Sequence, residues 1–212
     1  MEKIKTKYKH YFSKKEFIIS FISSIIFLFV AVLINFYAGT YAAKSASLPV
    51  TDIILSNIRP FDVDGFFVYA PIFLFIFMLM LCLSNPRKIP FVTNSLSLFI
   101  IIRSVFISLT HIGPFPTQAM MNNSNIFVNK FTFGGDLFFS GHTGIPFLLA
   151  LIFWQNRTLR YFLLAYSIFM GIIVLLGHYH YSIDVLSAFF ITYTIFHMAL
   201  YLFKKDREMF GE

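Results

Sequence analysis

Two short polar stretches break an otherwise apolar sequence, and their residue types suit phosphate transfer. The first is GHYHYSIDV, Gly177 to Val185, with two histidines and an aspartate between long apolar runs. In hydrocarbon each of these groups costs roughly a few kcal/mol, so their presence asks for a reason. If the run that follows is helical from its start, His180 and Asp184 stand one turn apart on one face. The carboxylate then fixes the ring tautomer, leaves the opposite nitrogen its lone pair, and stabilises the cation formed after attack. Taken alone, the same pair equally describes a buried histidine satisfied by a carboxylate.

The second stretch is DLFFSGHT, Asp136 to Thr143. Ser140 reads either as a helix cap or, with Gly141 and the backbone N–H groups of a helix start, as a cradle for a phosphate oxygen. His142 would stand beside that anion, able to give or take a proton. Asp136, one turn before Ser140, either caps the helix or binds a choline-like or ethanolamine-like head group.

The elements that position these residues follow from composition. The 212 residues are 58% hydrophobic, 20% aromatic and only 13% charged, about half the charged share of a soluble domain. The fold class is therefore all-α, a polytopic membrane protein built as a six-transmembrane helical bundle. A net charge of +7 would raise nucleic acid as a partner in a soluble protein. Here the basic residues lie in tails and tight turns, so the bilayer explains them and no nucleic acid is expected. The single cysteine, Cys82, lies inside an apolar run and reads as a packed thiol.

In chain order, residues 1 to 16 form a basic tail and residues 17 to 203 a catalytic membrane domain, with residues 204 to 212 as a second tail. The expected spans are Phe17 to Tyr37, Phe66 to Leu83, Phe91 to Thr110, Asp136 to Trp154, Tyr161 to Gly177 and Tyr181 to Phe203. Residues 38 to 64 read as a surface loop with a short turn around Ile53 to Ile58. NPRKIP is a tight basic turn with Pro86 and Pro90 as breakers. Residues 111 to 135 are the other long loop, apolar enough to lie on the bilayer.

Six spans put both termini on one side. The tails and the turns NPRKIP and QNRTLR hold 13 of the 17 Lys and Arg residues, so that side is cytoplasmic. Asp136, His142, His178, His180 and Asp184 then face away from the cytoplasm. Arg103 lies within the third span, where a charge usually faces a polar cavity, although snorkelling to the interface is the other reading.

Together these residues resemble the type 2 phosphatidic acid phosphatase (PAP2) superfamily, and more closely its sphingomyelin synthase branch. Gly135-Asp136, Ser140-Gly141-His142-Thr143, His180-Tyr181 and Asp184-Val185 fit that branch's pattern. Arg103, Thr110, Pro114 and Pro116 look like its arginine-to-LP-x-P segment with a one-residue offset, and Leu48 to Asp52 faintly resembles its LPD segment. Other branches carry a Lys-x6-Arg-Pro motif, missing here, and an arginine where this chain has Val174.

The resemblance implies a lipid phospho-head-group transferase. His180 attacks phosphorus, Asp184 orients it, and His142 protonates the departing alcohol and then deprotonates the acceptor. Ser140, Gly141, Arg103 and Asp136 would bind substrate, with Lys130 and Arg59 as lesser candidates for neutralising phosphate. The implied partners are a phospholipid and either a lipid alcohol or water, with no metal or cofactor. Hydrolysis by the same residues, as a lipid phosphate phosphatase or phospholipase C-like enzyme, is the first alternative. A non-catalytic lipid-binding protein is the alternative of another class, and a paired nucleophile and acid argue against it. His178 cannot share a helix face with His180 and falls at the interface or behind the site, and His111, beside the loop, is a lesser candidate for lining the pocket.

Orientation is testable directly. A reporter fused after Glu212 is expected to behave as cytoplasmic, and an external signal would overturn the charge argument.

Overall fold

A computed structural model describes residues 2–118 and 138–211. Among these, every regular element is helical: α1 (Glu2–Phe12), α2 (Lys15–Ser45), α3 (Asp64–Ser84), α4 (Ile89–Leu109), α5 (Gly141–Ile152), α6 (Arg157–Leu176), α7 (Ser182–Leu202) and α8 (Lys204–Phe210), with a 3-10 turn at Pro86–Lys88. Five segments are long and apolar enough to cross a membrane: α2, α3, α4 with its preceding turn, α6 and α7. The protein is a polytopic helical membrane protein.

The expected fourth span differs. Its helix begins at Gly141 and holds 12 residues, about 18 Å at the usual rise, against a hydrocarbon core of about 30 Å. Asp136 and the preceding residues from 119 onward lie outside the described residues. The N-terminal stretch, read as a polar tail, forms α1, and the C-terminal stretch forms α8. Pro90 does not break a helix either: it sits in the first turn of α4, where a missing N–H costs nothing. The turn at Ile53 to Ile58 is present, as expected.

Helix contacts follow from side-chain size. The buried positions of α2 include Phe17, Ser24, Ala31 and Ala38, seven residues apart, with Gly39 and Ala42 beyond. This small-residue seam lets α2 lie close along α4. The buried face of α4 carries many hydroxyls, and these bond to their own helix. Ser95, Ser97 and Ser104 donate to the carbonyls of Phe91, Thr93 and Ile100 at 2.7, 2.8 and 2.7 Å. Helix α5 is wrapped by α4, α6 and α7, and its Leu148, Leu149 and Ala150 enter a common core with Phe99, Phe139 and Ala188. Gly144 allows this approach: a Cβ there would meet the Phe99 ring at 2.7 Å and Thr192 Oγ1 at 2.9 Å. By contrast, α3 buries one narrow stripe, Phe67, Leu74, Met78 and Cys82, and leaves Phe66, Phe75 and Met80 facing outward, as a lipid-contacting helix would.

At one end of the bundle, the start of α2, the start of α4 and helix α8 are tied by a polar knot. Asp206 is buried and accepts hydrogen bonds from Ser20 and from Asn94, the latter at 2.7 Å. Tyr8 of α1 donates to the Leu83 carbonyl at 3.1 Å at the same end. Asp206→Ala would leave the buried Asn94 amide without its acceptor, at a cost of about 1–3 kcal/mol. We expect a lower thermal midpoint in detergent or nanodiscs, and an unchanged midpoint would contradict this role.

Candidate active site

The opposite end of the bundle holds both polar stretches. They are joined through backbone: the Ser140 N–H donates to the Asp184 carbonyl at 3.1 Å. Two helix starts, those of α5 and α7, therefore converge, and the first N–H groups of a helix have no intrahelical acceptor. Ser140 caps α5, its side chain accepting from the Thr143 N–H at 3.4 Å. The Ser167 hydroxyl of α6 holds the same turn by donating to the Thr143 carbonyl at 2.7 Å.

His180 and Asp184 meet, but not on one helix face. Helix α7 begins at Ser182, so His180 lies before it in a bend, with the extended cap Tyr181 between, and Asp184 sits in the first turn. Asp184 reaches back so that its Oδ2 accepts from the Tyr181 N–H at 2.9 Å, and the same oxygen stands 3.5 Å from His180 Nδ1. Asp184 Oδ1 and His180 Nδ1 are buried and carry no hydrogen bond. A carboxylate at this distance tightens onto the ring when a cation develops there.

His142, the second residue of α5, faces this pair, its ring centroid 6.3 Å from that of His180 with planes at 60°. On its other side it stacks on Phe67 of α3 at 4.2 Å. Arg103 reaches the same point from α4. It is buried, its Nε donates to the Phe139 carbonyl at 2.9 Å, and that Nε lies 3.5 Å from where a Cβ on Gly141 would be. The structure thus gathers Ser140, Gly141, His142, His180, Asp184 and Arg103. A guanidinium, the start of α5 and two imidazoles form a locus suited to an anion.

Asp136 and Lys130 lie outside the described residues. Arg59 stands over the Phe61 ring at 5.2 Å. The described contacts of His111 are with Tyr41 and Ser47 rather than with the two site histidines. His178, with φ of 55°, is a clip: its Nδ1 pairs with the Thr117 hydroxyl at 2.6 Å and its ring meets Phe115 edge-on. Burial holds the His178 pKa below the ordinary imidazole value, with Asp52 opposing.

Several site-forming residues were not legible as such. Asp52 accepts from the Ile54 and Leu55 N–H groups at 2.8 and 3.1 Å, and from the N–H and hydroxyl of Ser182 at 2.7 and 2.8 Å. One carboxylate therefore closes its own turn and caps the start of α7. Tyr181 adds a second tie, donating to the Gly113 carbonyl at 2.8 Å and accepting from the Val50 N–H at 3.3 Å. An aspartate two residues before a tight turn is a local signal, but its partner 130 residues away is not.

Residues 134–201 match a family model described as PAP2 superfamily C-terminal. The match makes this segment similar to the C-terminal part of the PAP2 superfamily. It takes in Ser140, Gly141, His142, His180 and Asp184, and leaves Asp52, Phe67 and Arg103 outside. No curated protein and no solved structure matched the chain. PAP2 superfamily members are generally phosphatases or phosphotransferases, which supports an enzyme of that type with a lipid-related function.

Burial pushes the Asp52 carboxyl upward, but its hydrogen bonds from Leu55, Ser182 and Ile54 outweigh this and hold its pKa below the ordinary carboxylate value. Its contribution to stability is therefore complete above the unfolded value, near pH 4, and lost as pH falls through the lower folded value. Asp52→Asn is expected to flatten that acid limb in thermal melts and to lower turnover. An acid limb identical to wild type would contradict the capping role.

Proposed function

We propose that this protein moves a phospho head group from a glycerophospholipid to a second lipid alcohol, through a phosphohistidine at His180. The observation that supports it most is the His142–His180 pair at 6.3 Å, with Asp184 behind His180 at 3.5 Å. In that spacing one phosphorus centre fits between the two rings.

With Nδ1 turned to Asp184, the opposite nitrogen of His180 keeps its lone pair and attacks phosphorus. The bond from phosphorus to the lipid oxygen breaks, and protonated His142 delivers its proton to that oxygen, releasing the diacylglycerol-type alcohol. Neutral His142 then takes the proton of the acceptor hydroxyl, whose oxygen attacks phosphorus as the P–N bond breaks. Both histidines return to their starting states. Arg103 and the α5 start are placed to balance charge on the phosphoryl oxygens. Asp136, next to this start in sequence, is assigned to the head group, and the site to the non-cytoplasmic face. Water in place of the second alcohol turns the same steps into hydrolysis.

Purified protein supplied with a head-group-labelled phospholipid and an added lipid alcohol tests this. Label on the alcohol is expected, whereas free phosphate or phosphocholine would replace transfer by hydrolysis. His142→Ala should lower turnover by about 10²–10⁴-fold, the range for a general acid and base. His180→Ala should abolish turnover, and near-wild-type activity in that variant would overturn the mechanism.

A further inference from the structure

Helix α5 stops at Ile152 after 12 residues, whereas its neighbours α4, α6 and α7 run for 20 or 21. A hollow of about 290 Å³ lies at its end. The walls are apolar: Phe91 at the start of α4, Ile152, Phe196 and Leu200 of α7, and Phe210 of α8. His142 is the second residue of α5, so the hollow and the site histidines lie at opposite ends of that helix. Void space inside a packed protein forfeits dispersion contacts. In a bilayer, a lipid chain is the material at hand to fill it.

The rim of the hollow is polar and basic. Trp154, Gln155, Tyr193 and Arg207 line it, and Trp154 and Tyr193 are exposed. Among the described residues no carboxylate pairs with the Arg207 guanidinium. The adjacent Asp206 is committed to Ser20 and Asn94, and Glu208, the other acid of α8, is exposed. A second guanidinium, that of Arg160, stacks on the Trp154 ring at 4.7 Å, and its Nη1 donates to the Trp154 carbonyl at 3.3 Å. An arginine that only snorkels to the interface needs no cavity beside it. Here an unpaired guanidinium stands at the mouth of one.

We propose that this hollow binds an anionic phospholipid from the bilayer leaflet at the end that carries both tails. One acyl chain enters between α5 and α7, and the phosphate sits on Arg207, which offers paired N–H donors to its oxygens. Basic pockets between membrane helices on the cytoplasmic side take lipid head groups in this way, and the Lys- and Arg-rich tails and turns put the expected cytoplasmic side here. The volume stands at the lower edge of the roughly 300–1,000 Å³ of small-molecule sites, so it holds part of one chain and not a whole lipid. A zwitterionic lipid brings the same chain, but its ammonium group meets Arg207 and the neighbouring Lys204 and Lys205 unfavourably. The site is independent of the phospho-transfer reading.

Trp154 is the chain's one tryptophan, so its fluorescence reports the hollow directly. The full chain is placed in nanodiscs of unlabelled phosphatidylcholine. To these is added a small, equal mole fraction of phosphatidylglycerol or phosphatidylcholine brominated on the acyl chains. We expect the brominated phosphatidylglycerol to quench Trp154 about fivefold more effectively, the preference that one basic group gives near a membrane surface. Arg207→Gln should bring that ratio close to one. Lys204→Gln, which removes the same charge from an exposed position outside the hollow, should preserve it. Leu200→Phe, which fills the hollow, should remove the excess quenching with Arg207 still in place. Equal quenching by the two lipids in wild type overturns the proposal. So does a loss of preference in Lys204→Gln as large as in Arg207→Gln, which marks diffuse attraction of charge only. An excess that survives in Leu200→Phe puts the lipid outside the hollow and overturns it as well. Turnover enters none of these readouts, so the site stands or falls apart from any reaction at His142 and His180.

Discussion

The end of the bundle that holds the candidate site depends on one constraint: two helix starts must be held together inside a largely apolar chain without orphaning their polar groups. The Ser140 N–H bonded to the Asp184 carbonyl is the direct joint. An unpaired buried backbone donor costs about 1–3 kcal/mol, so this joint fixes how far α5 and α7 can separate. Asp52 then caps α7 from a loop, Ser140 caps α5, and Ser167 holds the first turn of α5 from α6. Among the described residues, His180 Nδ1 and Asp184 Oδ1 at this joint, and Thr192 Oγ1 and His178 Nε2 near it, are buried without a hydrogen bond.

The same logic governs the other end, where Asp206 gathers Ser20 and Asn94. Between the ends the helices meet through small residues and self-bonded hydroxyls. The α2 seam of Ala31, Ala38 and Ala42 and the Gly144 contact with Phe99 show close approach used in place of polar pairing. A short α5 surrounded by longer helices is the consequence. It brings His142 into the bundle's interior side by side with Phe67 of α3 and Arg103 of α4.

Much of this was legible in the sequence because the polar residues are rare. In a chain 13% charged, His142, His180, Asp184 and Arg103 stand out against hydrocarbon, and the apolar runs locate α3, α4, α6 and α7 closely, whereas α2 runs on to Ser45 through residues 38–45 that were expected as loop. The misreadings have a common cause, that local pattern does not report tertiary partners. A single helix face was expected for His180 and Asp184, but His180, in the bend before α7, and the back-reaching Asp184 arrive at the same pairing by a cap. Asp52 and Tyr181 stood in segments that matched the family pattern, but their capping roles were not legible because each bonds to residues 130 or 131 positions away.

The central claim is covalent: phosphorus passes through a nitrogen of His180. Rapid acid-free quenching of the protein with ³²P-labelled phospholipid, followed by peptide mapping, tests it most directly. The account predicts an acid-labile, base-stable label on the peptide holding His180, absent in His180→Ala and persisting longer in His142→Ala. Turnover with no protein-bound label at any quench time, or a label on a different residue, would contradict it.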